Sequence, residues 1–197
     1  IIPGPLAYGP NPPSADILPD ETLVFVVTLI SDDTPKPLTQ AWAISDCTEV
    51  GGGTGANAPA PDSTVEGPVA VAGQMEEAPT VSIEADATPA TTLQTIDLTT
   101  GSGPEVAAGA SVTVQYCGLG LTSRRVFDSS WARGEPVSFG LDGVIVGWQE
   151  GIPGMQVGGR RVLVIPGDLA YGPTPPGAGI LPDETLVFVV DLLAIDS

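Results

Sequence analysis

The sequence predicts an α+β fold, in which a mostly antiparallel sheet packs against one short helix. Six segments between residues 92 and 195 have the apolar alternation or β-branched composition of strands. One segment among them, 143–155, has the apolar spacing of a helix instead. Several strands with a single helix are typical of an α+β domain and not of repeated βαβ units.

Alternation is clearest in the second strand segment. There Val112, Val114 and Tyr116 point to one face, and Gln115 and Cys117 point to the other. In chain order the segments are TLQTIDL (92–98), SVTVQYCGLGL (111–121), RVFDSS (125–130), PVSFGL (136–141), RRVLVIP (160–166) and TLVFVVDLLAI (185–195).

The predicted helix lies in GVIVGWQEGIPGM. Val144, Ile145 and Trp148 share one face of this segment, which is therefore expected to face the sheet. Pro153 lacks a backbone N–H and is flanked by glycines, so it is expected to end the helix.

Charge and composition exclude several functions. The net charge of −18 and the pI near 4.1 argue against binding to nucleic acid or to an anionic membrane. No apolar run is long enough to span a bilayer. The chain has no histidine, the commonest general base and metal ligand, so neither a metal nor a cofactor is predicted. Without histidine, the sequence DSS at 128–130 does not indicate a serine nucleophile.

The two cysteines are far apart in the sequence. At that count and spacing, a disulfide framework and a zinc cluster are both judged implausible. Cys117 lies in a strand pattern and is interpreted as a small buried apolar residue.

An internal repeat indicates a second, related domain. Residues 6–27 match residues 169–190 at all but three positions, with no gap. We therefore expect a fragment of a longer tandem protein, with residues 1–30 as the C-terminal remnant of a preceding domain. Residues 31–79, rich in Gly, Pro and Ala, are interpreted as a flexible linker, and residues 80–197 as one complete domain.

Four motifs follow one another in residues 80–197, namely VTVQYCG, VFDSSWARGEPVSF, GVIVGWQEGIPGMQVGGRRVLVIPGDLAYG and ILPDETLVFVVDLL. Their order resembles that of FKBP-type peptidyl-prolyl cis-trans isomerases. The resemblance implies a half-open sheet of about five strands wrapped around the short helix, and isomerase activity that assists protein folding. Residues 1–30 resemble the last third of such a domain and lack its counterparts of QYCG, FDSS and GW.

This chemistry suits a protein without histidine. Rotation about a peptide bond costs about 18–20 kcal/mol because amide resonance is lost. Only X–Pro bonds have nearly balanced isomers, and no covalent bond is broken when they interconvert. A dry aromatic pocket that grips proline favours the less polar, twisted amide, and a few donors orient the neighbouring carbonyls.

The resemblance also implies the residues of this pocket. Trp148 would form its floor, the Ile145 and Ile180 N–H groups and the Tyr171 hydroxyl would donate to substrate carbonyls, and Asp128 would bind the Tyr116 hydroxyl. The implied catalytic residues are Tyr116, Phe127, Asp128, Trp148, Tyr171 and Phe188, and the implied substrate-binding residues are Val137, Val144, Ile145 and Ile180.

Two departures from the family pattern affect the expected ligands. Val137 stands where many members have an aromatic residue, which removes part of one wall, and the loop 172–182 has an unusual length and proline content. The expected partners are proline-containing polypeptides and macrolide inhibitors of the tacrolimus and rapamycin type. A non-catalytic proline-binding chaperone or scaffold is the alternative, and a purely structural domain is a third reading. The resemblance also favours a bacterial secreted or cell-envelope protein.

Overall fold

The structure, a computed structural model, describes residues 47–51, 68–84 and 86–196, with the backbone alone for 48–51. These residues belong to one unit, Leu38–Ser197. The predicted domain remnant at residues 1–30 lies outside the described residues. The described strands, in chain order, are β1 (Thr48–Gly51), β2 (Val69–Ala72), β3 (Thr80–Ile83), β4 (Gln94–Thr99), β5 (Ser111–Gly120), β6 (Val126–Ser129), β7 (Val137–Gly140), β8 (Arg160–Ile165) and β9 (Leu186–Asp196).

Strands β4 to β9 form the main sheet. Its order is β4-β8-β9-β5-β6, and β7 also pairs with β5; every pairing is antiparallel. Each of the six predicted strand segments therefore overlaps one strand of this sheet, and β4 and β9 each extend one residue beyond the predicted end. The C-terminal strand β9 lies in the middle, between β8 and β5, and it is buried from Leu186 to Leu193.

The helix α1 (Val146–Gly151) lies inside the predicted segment but is shorter than it. Ile152 and Pro153 follow its last residue, and Gly154 adopts φ 83°. An added Cβ at Gly147 would lie 2.3 Å from a side-chain carbon of Ile165, so glycine lets the helix approach β8 closely. The helix consequently sits on one face of the sheet.

Each face of the main sheet has its own apolar core. Val112, Val114 and Tyr116 belong to the core on the helix side. Cys117 and Leu119, from the same strand, belong to the core on the opposite side. The predicted alternation along β5 is thus confirmed.

A second, three-stranded sheet covers the face away from the helix. Its order is β1-β3-β2, with β1 parallel and β2 antiparallel to β3. Val69 and Val71 share one apolar core with Val187 and Val189 of the main sheet. We call residues 68–84 the cover segment. The interval 31–79 was predicted to be a flexible linker, but the structure places β1 and β2 within it. The alternation in VAVA (69–72) is short and stands among Gly, Pro and Ala, which obscured it.

A disulfide joins Cys47 to Cys117, with their Cα atoms 6.1 Å apart. The sequence-based judgement that a disulfide was implausible is therefore wrong, as is the interpretation of Cys117 as an unpaired core residue. Spacing along the chain gave no indication of the bond, because it is the fold that brings two residues 70 positions apart together. The bond ties the start of β1 to β5, directly beside Tyr116.

A buried ion pair anchors the cover segment at another point. Arg160 and Asp191, on neighbouring strands, are each 1% exposed. The Arg160 guanidinium also donates to the carbonyl oxygens of Gly73 and Glu77, at 2.8 Å each. The cover segment is therefore held by polar contacts as well as by apolar packing.

Candidate active site

Trp148 stands at the centre of a cluster of aromatic side chains on the helix side of the sheet. Its ring centroid lies 5.5 Å from that of Tyr116, 5.6 Å from that of Phe139 and 5.4 Å from that of Phe188, in edge-to-face arrangements. Such contacts contribute about 0.5–1.5 kcal/mol each beyond burial. The indole N–H has no hydrogen-bond partner within the described part of the chain, so ring packing places this side chain.

Several separate elements bring these rings together. Tyr116 comes from β5, Phe127 from β6, Phe188 from β9 and Trp148 from α1. Phe127 and Phe188 meet edge to face, with centroids 5.6 Å apart, above Gly118. A Cβ at that glycine would lie 2.8 Å from both rings, so a residue without a side chain is needed there.

The rings enclose an open cavity of about 300 Å³. Eight of the ten predicted site residues line it, and Phe139 and Gly143 line it in addition. Val137 and Ile180 are the two predicted residues that are not in the lining. The lining residues are Tyr116, Phe127, Asp128, Phe139, Gly143, Val144, Ile145, Trp148, Tyr171 and Phe188.

Phe139 was missed by the sequence analysis. It lies two positions after Val137 on the same strand, so both side chains point to the same face. Val137 packs at the edge of the apolar core, whereas Phe139 contacts both Trp148 and Tyr116. The apolar alternation of PVSFGL could have indicated Phe139, because it places Val137 and Phe139 on the same face of the strand.

The two predicted backbone donors, the N–H groups of Ile145 and Ile180, differ in whether they already donate a hydrogen bond within the protein. No described backbone acceptor takes the Ile145 N–H, which lies just before α1. The Ile180 N–H instead makes a long bond of 3.4 Å to the carbonyl oxygen of Gly177, and its side chain is buried in the core. Tyr171 lines the cavity and is 37% exposed, which places it at the cavity mouth.

A polar network at the rim joins Tyr116, Asp128 and Arg133. The Tyr116 hydroxyl donates to Asp128 Oδ2, as predicted. Arg133, which the sequence analysis missed, donates from one guanidinium nitrogen to Asp128 Oδ1 at 2.5 Å and from the other to the Tyr116 hydroxyl at 2.9 Å. Its guanidinium carbon also lies 5.6 Å from the Tyr116 ring centroid. Only the turn after β6 brings this arginine back to the pocket.

The network sets the protonation states of the rim. Burial and the hydrogen bond to Asp128 raise the pKa of Tyr116 to about 12, so its hydroxyl remains a donor. Burial raises the pKa of Asp128, but hydrogen bonds from Tyr116 and Arg133 outweigh it, and the net pKa lies below 3.8. Burial and the charge of Asp128 raise the pKa of Tyr171. Around neutral pH the rim therefore presents one carboxylate, one guanidinium and two neutral phenols.

Residues 103–193 match the sequence profile of the FKBP-type peptidyl-prolyl cis-trans isomerase family. A probable FK506-binding protein of Corynebacterium glutamicum is 50% identical over 98 residues, which cover 50% of this chain and 82% of that protein. An FK506-binding protein of Streptomyces anulatus is 49% identical over 102 residues, with 50% and 82% of the two chains covered. The chain belongs to this family.

Two comparisons involve the isomerase FkpA of Escherichia coli. Its K12 sequence is 47% identical over 95 residues, which cover 48% of this chain and 34% of that protein. Its crystal structure shares 42% identity, covers 55% of this chain and 51% of the other, and gives a TM-score of 0.49.

The activity of this chain is cis-trans isomerisation of X–Pro peptide bonds, and its fold is FKBP-like. The family's members bind proline-containing peptides and FK506-type ligands. Among the described residues, no helix is both long and apolar enough to cross a membrane.

Proposed function

We propose that the aromatic cavity around Trp148 is where the X–Pro bond is twisted. The proline ring lies on the indole face, between Tyr116 and Phe188, and water is displaced as it enters. A planar amide is more polar than a twisted one, so loss of water raises the free energy of the ground state more than that of the transition state. The observation that carries the proposal is the set of edge-to-face rings lining a cavity of about 300 Å³.

The polar groups of the cavity orient the substrate backbone. In this proposal the Ile145 N–H donates to a substrate carbonyl, because no described backbone acceptor uses it. Tyr171, at the mouth, donates to a second carbonyl. The Ile180 N–H takes part only after leaving its long bond to Gly177, so we assign it the smallest contribution.

The test of this assignment is a protease-coupled isomerase assay on a short X–Pro peptide. Wild-type protein and a Trp148→Leu variant are compared at equal concentration, and peptide binding is measured in parallel. A parallel loss of binding and turnover in the variant supports the proposed pocket. Unchanged turnover would mean that the X–Pro bond is twisted elsewhere.

Asp128→Ala is expected to lower kcat/KM about fivefold while the fold is retained. The carboxylate is exposed at the rim, and its loss frees the Tyr116 hydroxyl and Arg133 from their shared partner. Asp142→Ala is the matched control, because Asp142 is an exposed acid beside the lining residue Gly143. Equal rates in the wild type and the Asp128→Ala protein, with intact circular dichroism, would remove Asp128 from the mechanism.

Activity is expected to be flat between about pH 5 and 9 and to fall in more acidic solution. The pKa of Asp128 is lowered by folding, so its contribution to stability is complete above 3.8 and is lost as the pH falls through the folded-state value. Exchange NMR on an X–Pro peptide measures the rate without a protease. The Asp128→Asn variant should not show this fall in activity at low pH. If its activity falls as in the wild type, another group is responsible.

Among ligands, we propose that macrolide inhibitors occupy the same cavity. Val137→Phe is expected to tighten tacrolimus binding about two- to tenfold, with little change in peptide turnover, because it adds an aromatic surface beside Phe139. Val137→Leu controls for size without aromaticity. If tacrolimus affinity, measured by calorimetry, stays level in the Phe variant, then Phe139 already completes that wall.

We also propose that the protein works outside the cytoplasm. The argument is the Cys47–Cys117 disulfide, because such bonds persist in oxidising compartments and are rare in the cytosol. Slow prolyl isomerisation limits folding there as elsewhere, and proline-containing polypeptides in the process of folding are the proposed substrates. Thiol labelling of the protein taken directly from cells tests this, since free thiols in the native protein would contradict it.

For domain organisation, we propose that residues 1–30 derive from a second domain of the same kind. The support is the ungapped match of residues 6–27 to 169–190. The functional unit then begins before residue 80, because Cys47 and the cover segment pack onto the main sheet.

A further inference from the structure

The Arg160–Asp191 pair occupies an unusual place for two charges. It lies in the middle of the main sheet, on the covered face, where Arg160 of β8 is directly opposite Asp191 of β9. The guanidinium donates through Nε to Asp191 Oδ1 and through a terminal nitrogen to Oδ2 at 2.8 Å. On β5, the other strand that pairs with β9, the residue opposite Asp191 is the uncharged Gln115. In the described part of the chain, Asp191 is the acidic partner of Arg160.

Such a pair is not explained by stability alone. Burying two charges costs desolvation energy, and an apolar pair of equal volume is often as stable or more so. Removal of one partner is much worse, because it leaves an uncompensated buried charge. A buried ion pair therefore discriminates strongly between a strand that carries the partner and a strand that lacks it.

The chain contains a second copy of the sequence of β9. Residues 22–30 read TLVFVVTLI, and residues 185–193, which include most of β9, read TLVFVVDLL. Over this stretch the sequences differ by an Ile-for-Leu exchange at the last position and by Thr28 in place of Asp191. Beyond it, Asp32 stands where β9 has the half-buried Ile195. The replacement of Asp191 by Thr28 is thus the one non-conservative difference at a position that is fully buried in β9.

The order of synthesis favours this second copy. The copy at 22–30 precedes β9 by 163 residues, which corresponds to roughly 8–30 s of translation. Strands β5 and β8, between which β9 inserts, are also made before β9. Residues 22–30 and both strands that flank the slot of β9 are therefore synthesised before β9 itself.

We infer that Asp191 is a strand-selection residue, which admits β9 to the centre of the sheet and rejects segment 22–30 of this chain. In that slot the segment would place Thr28 opposite Arg160 and leave the buried guanidinium without its carboxylate. The bond from the Glu76 N–H to Asp191 Oδ2, 3.0 Å long, would be lost as well, which loosens the cover segment. This inference concerns assembly of the fold and does not depend on the proposed roles of the cavity residues.

The experiment introduces a carboxylate into segment 22–30 at position 28, which corresponds to Asp191. Thr28→Asp in the full chain is compared with Thr28→Asn, which matches it in size but has no charge, and Asp191 is kept in both proteins. After refolding from urea, hydrogen exchange with mass spectrometry reports protection of peptides 22–32 and 185–195 separately. The two differ in mass in every variant, because Ser31 and Asp32 stand where the second peptide has Ala194 and Ile195. Light scattering after size exclusion reports dimers formed by exchange between molecules.

We expect Thr28→Asp to raise the population with a protected 22–30 segment, or its exchanged dimer, by about tenfold or more over Thr28→Asn. A protein with both Thr28→Asp and Asp191→Thr keeps the composition and should reverse the protection of the two peptides. If Thr28→Asp and Thr28→Asn give the same protection and the same dimer fraction, the carboxylate does not select the strand, and the inference is overturned.

Discussion

Removal of the Cys47–Cys117 disulfide is expected to lower the free energy of unfolding by about 4 kcal/mol, from the chain-entropy estimate for a loop of this length. The bond closes a loop across 70 positions and ties β1 to the middle of the main sheet. Such a loss is a large part of the 5–15 kcal/mol that stabilises an ordinary domain.

Urea unfolding of wild-type protein and of Cys47→Ala/Cys117→Ala, each with and without reductant, measures this effect. The wild type should lose stability on reduction, and the double variant should not respond to reductant. Isomerase activity at low temperature should persist, because the disulfide lies on the face away from the cavity. A change below about 1 kcal/mol would show that the bond constrains little of the unfolded chain.

Two truncations sharpen this prediction. Deletion of residues 1–37 leaves Cys47 and the described strands intact, so stability and activity per molecule should be retained. Deletion of residues 1–78 follows the boundary that the sequence indicates, but it removes Cys47, β1 and β2, and exposes apolar residues of the main sheet. The longer deletion should therefore be at least as unstable as the disulfide variant. Equal stability of the two truncated proteins would contradict a structural role for the disulfide and the cover segment.

Trp148→Leu is expected to lower kcat/KM about a hundredfold, equivalent to nearly 3 kcal/mol of transition-state stabilisation. Leucine keeps an apolar side chain in the core, but it removes the flat surface proposed to hold proline and the ring contacts with Tyr116, Phe139 and Phe188. The loss should appear in kcat as well as KM, because the same surface is proposed to favour the twisted amide.

Trp148→Phe is the matched control, since it restores an aromatic ring of smaller area. An intermediate rate is expected, with near-ultraviolet circular dichroism and urea midpoints used to confirm that all three proteins are folded. A Leu variant within about twofold of wild type would show that the indole is structural and that proline binds elsewhere.

Local pattern was sufficient to predict the main sheet and most of the site. The alternation of Val112, Val114 and Tyr116 identifies a face of β5, because side-chain direction in a strand depends only on position along it. The cavity residues on β5, β6, α1 and β9 stand in motifs whose order is specific. Eight of the ten predicted site residues accordingly line the cavity.

Other contacts depend on distant segments. Arg133 reaches Asp128 and Tyr116 only because the turn after β6 doubles back on the strand, and the sequence gives no measure of that path. Phe139 replaces Val137 in the cavity lining because it lies further along the same strand face, where the helix approaches. Both residues are near predicted positions, but their contacts come from long-range packing.

By itself, the sequence determined which segments of the main sheet form strands and where the helix lies, because propensity, alternation and glycine or proline breaks act over a few residues. The order of its aromatic motifs also indicated most of the residues that line the cavity. Only the tertiary structure decided that Cys47 binds Cys117, that the cover segment packs on the main sheet and that Asp191 pairs with Arg160. Each of these contacts joins groups from different elements. Their free energy depends on burial and mutual distance, which exist only once the chain has closed on itself.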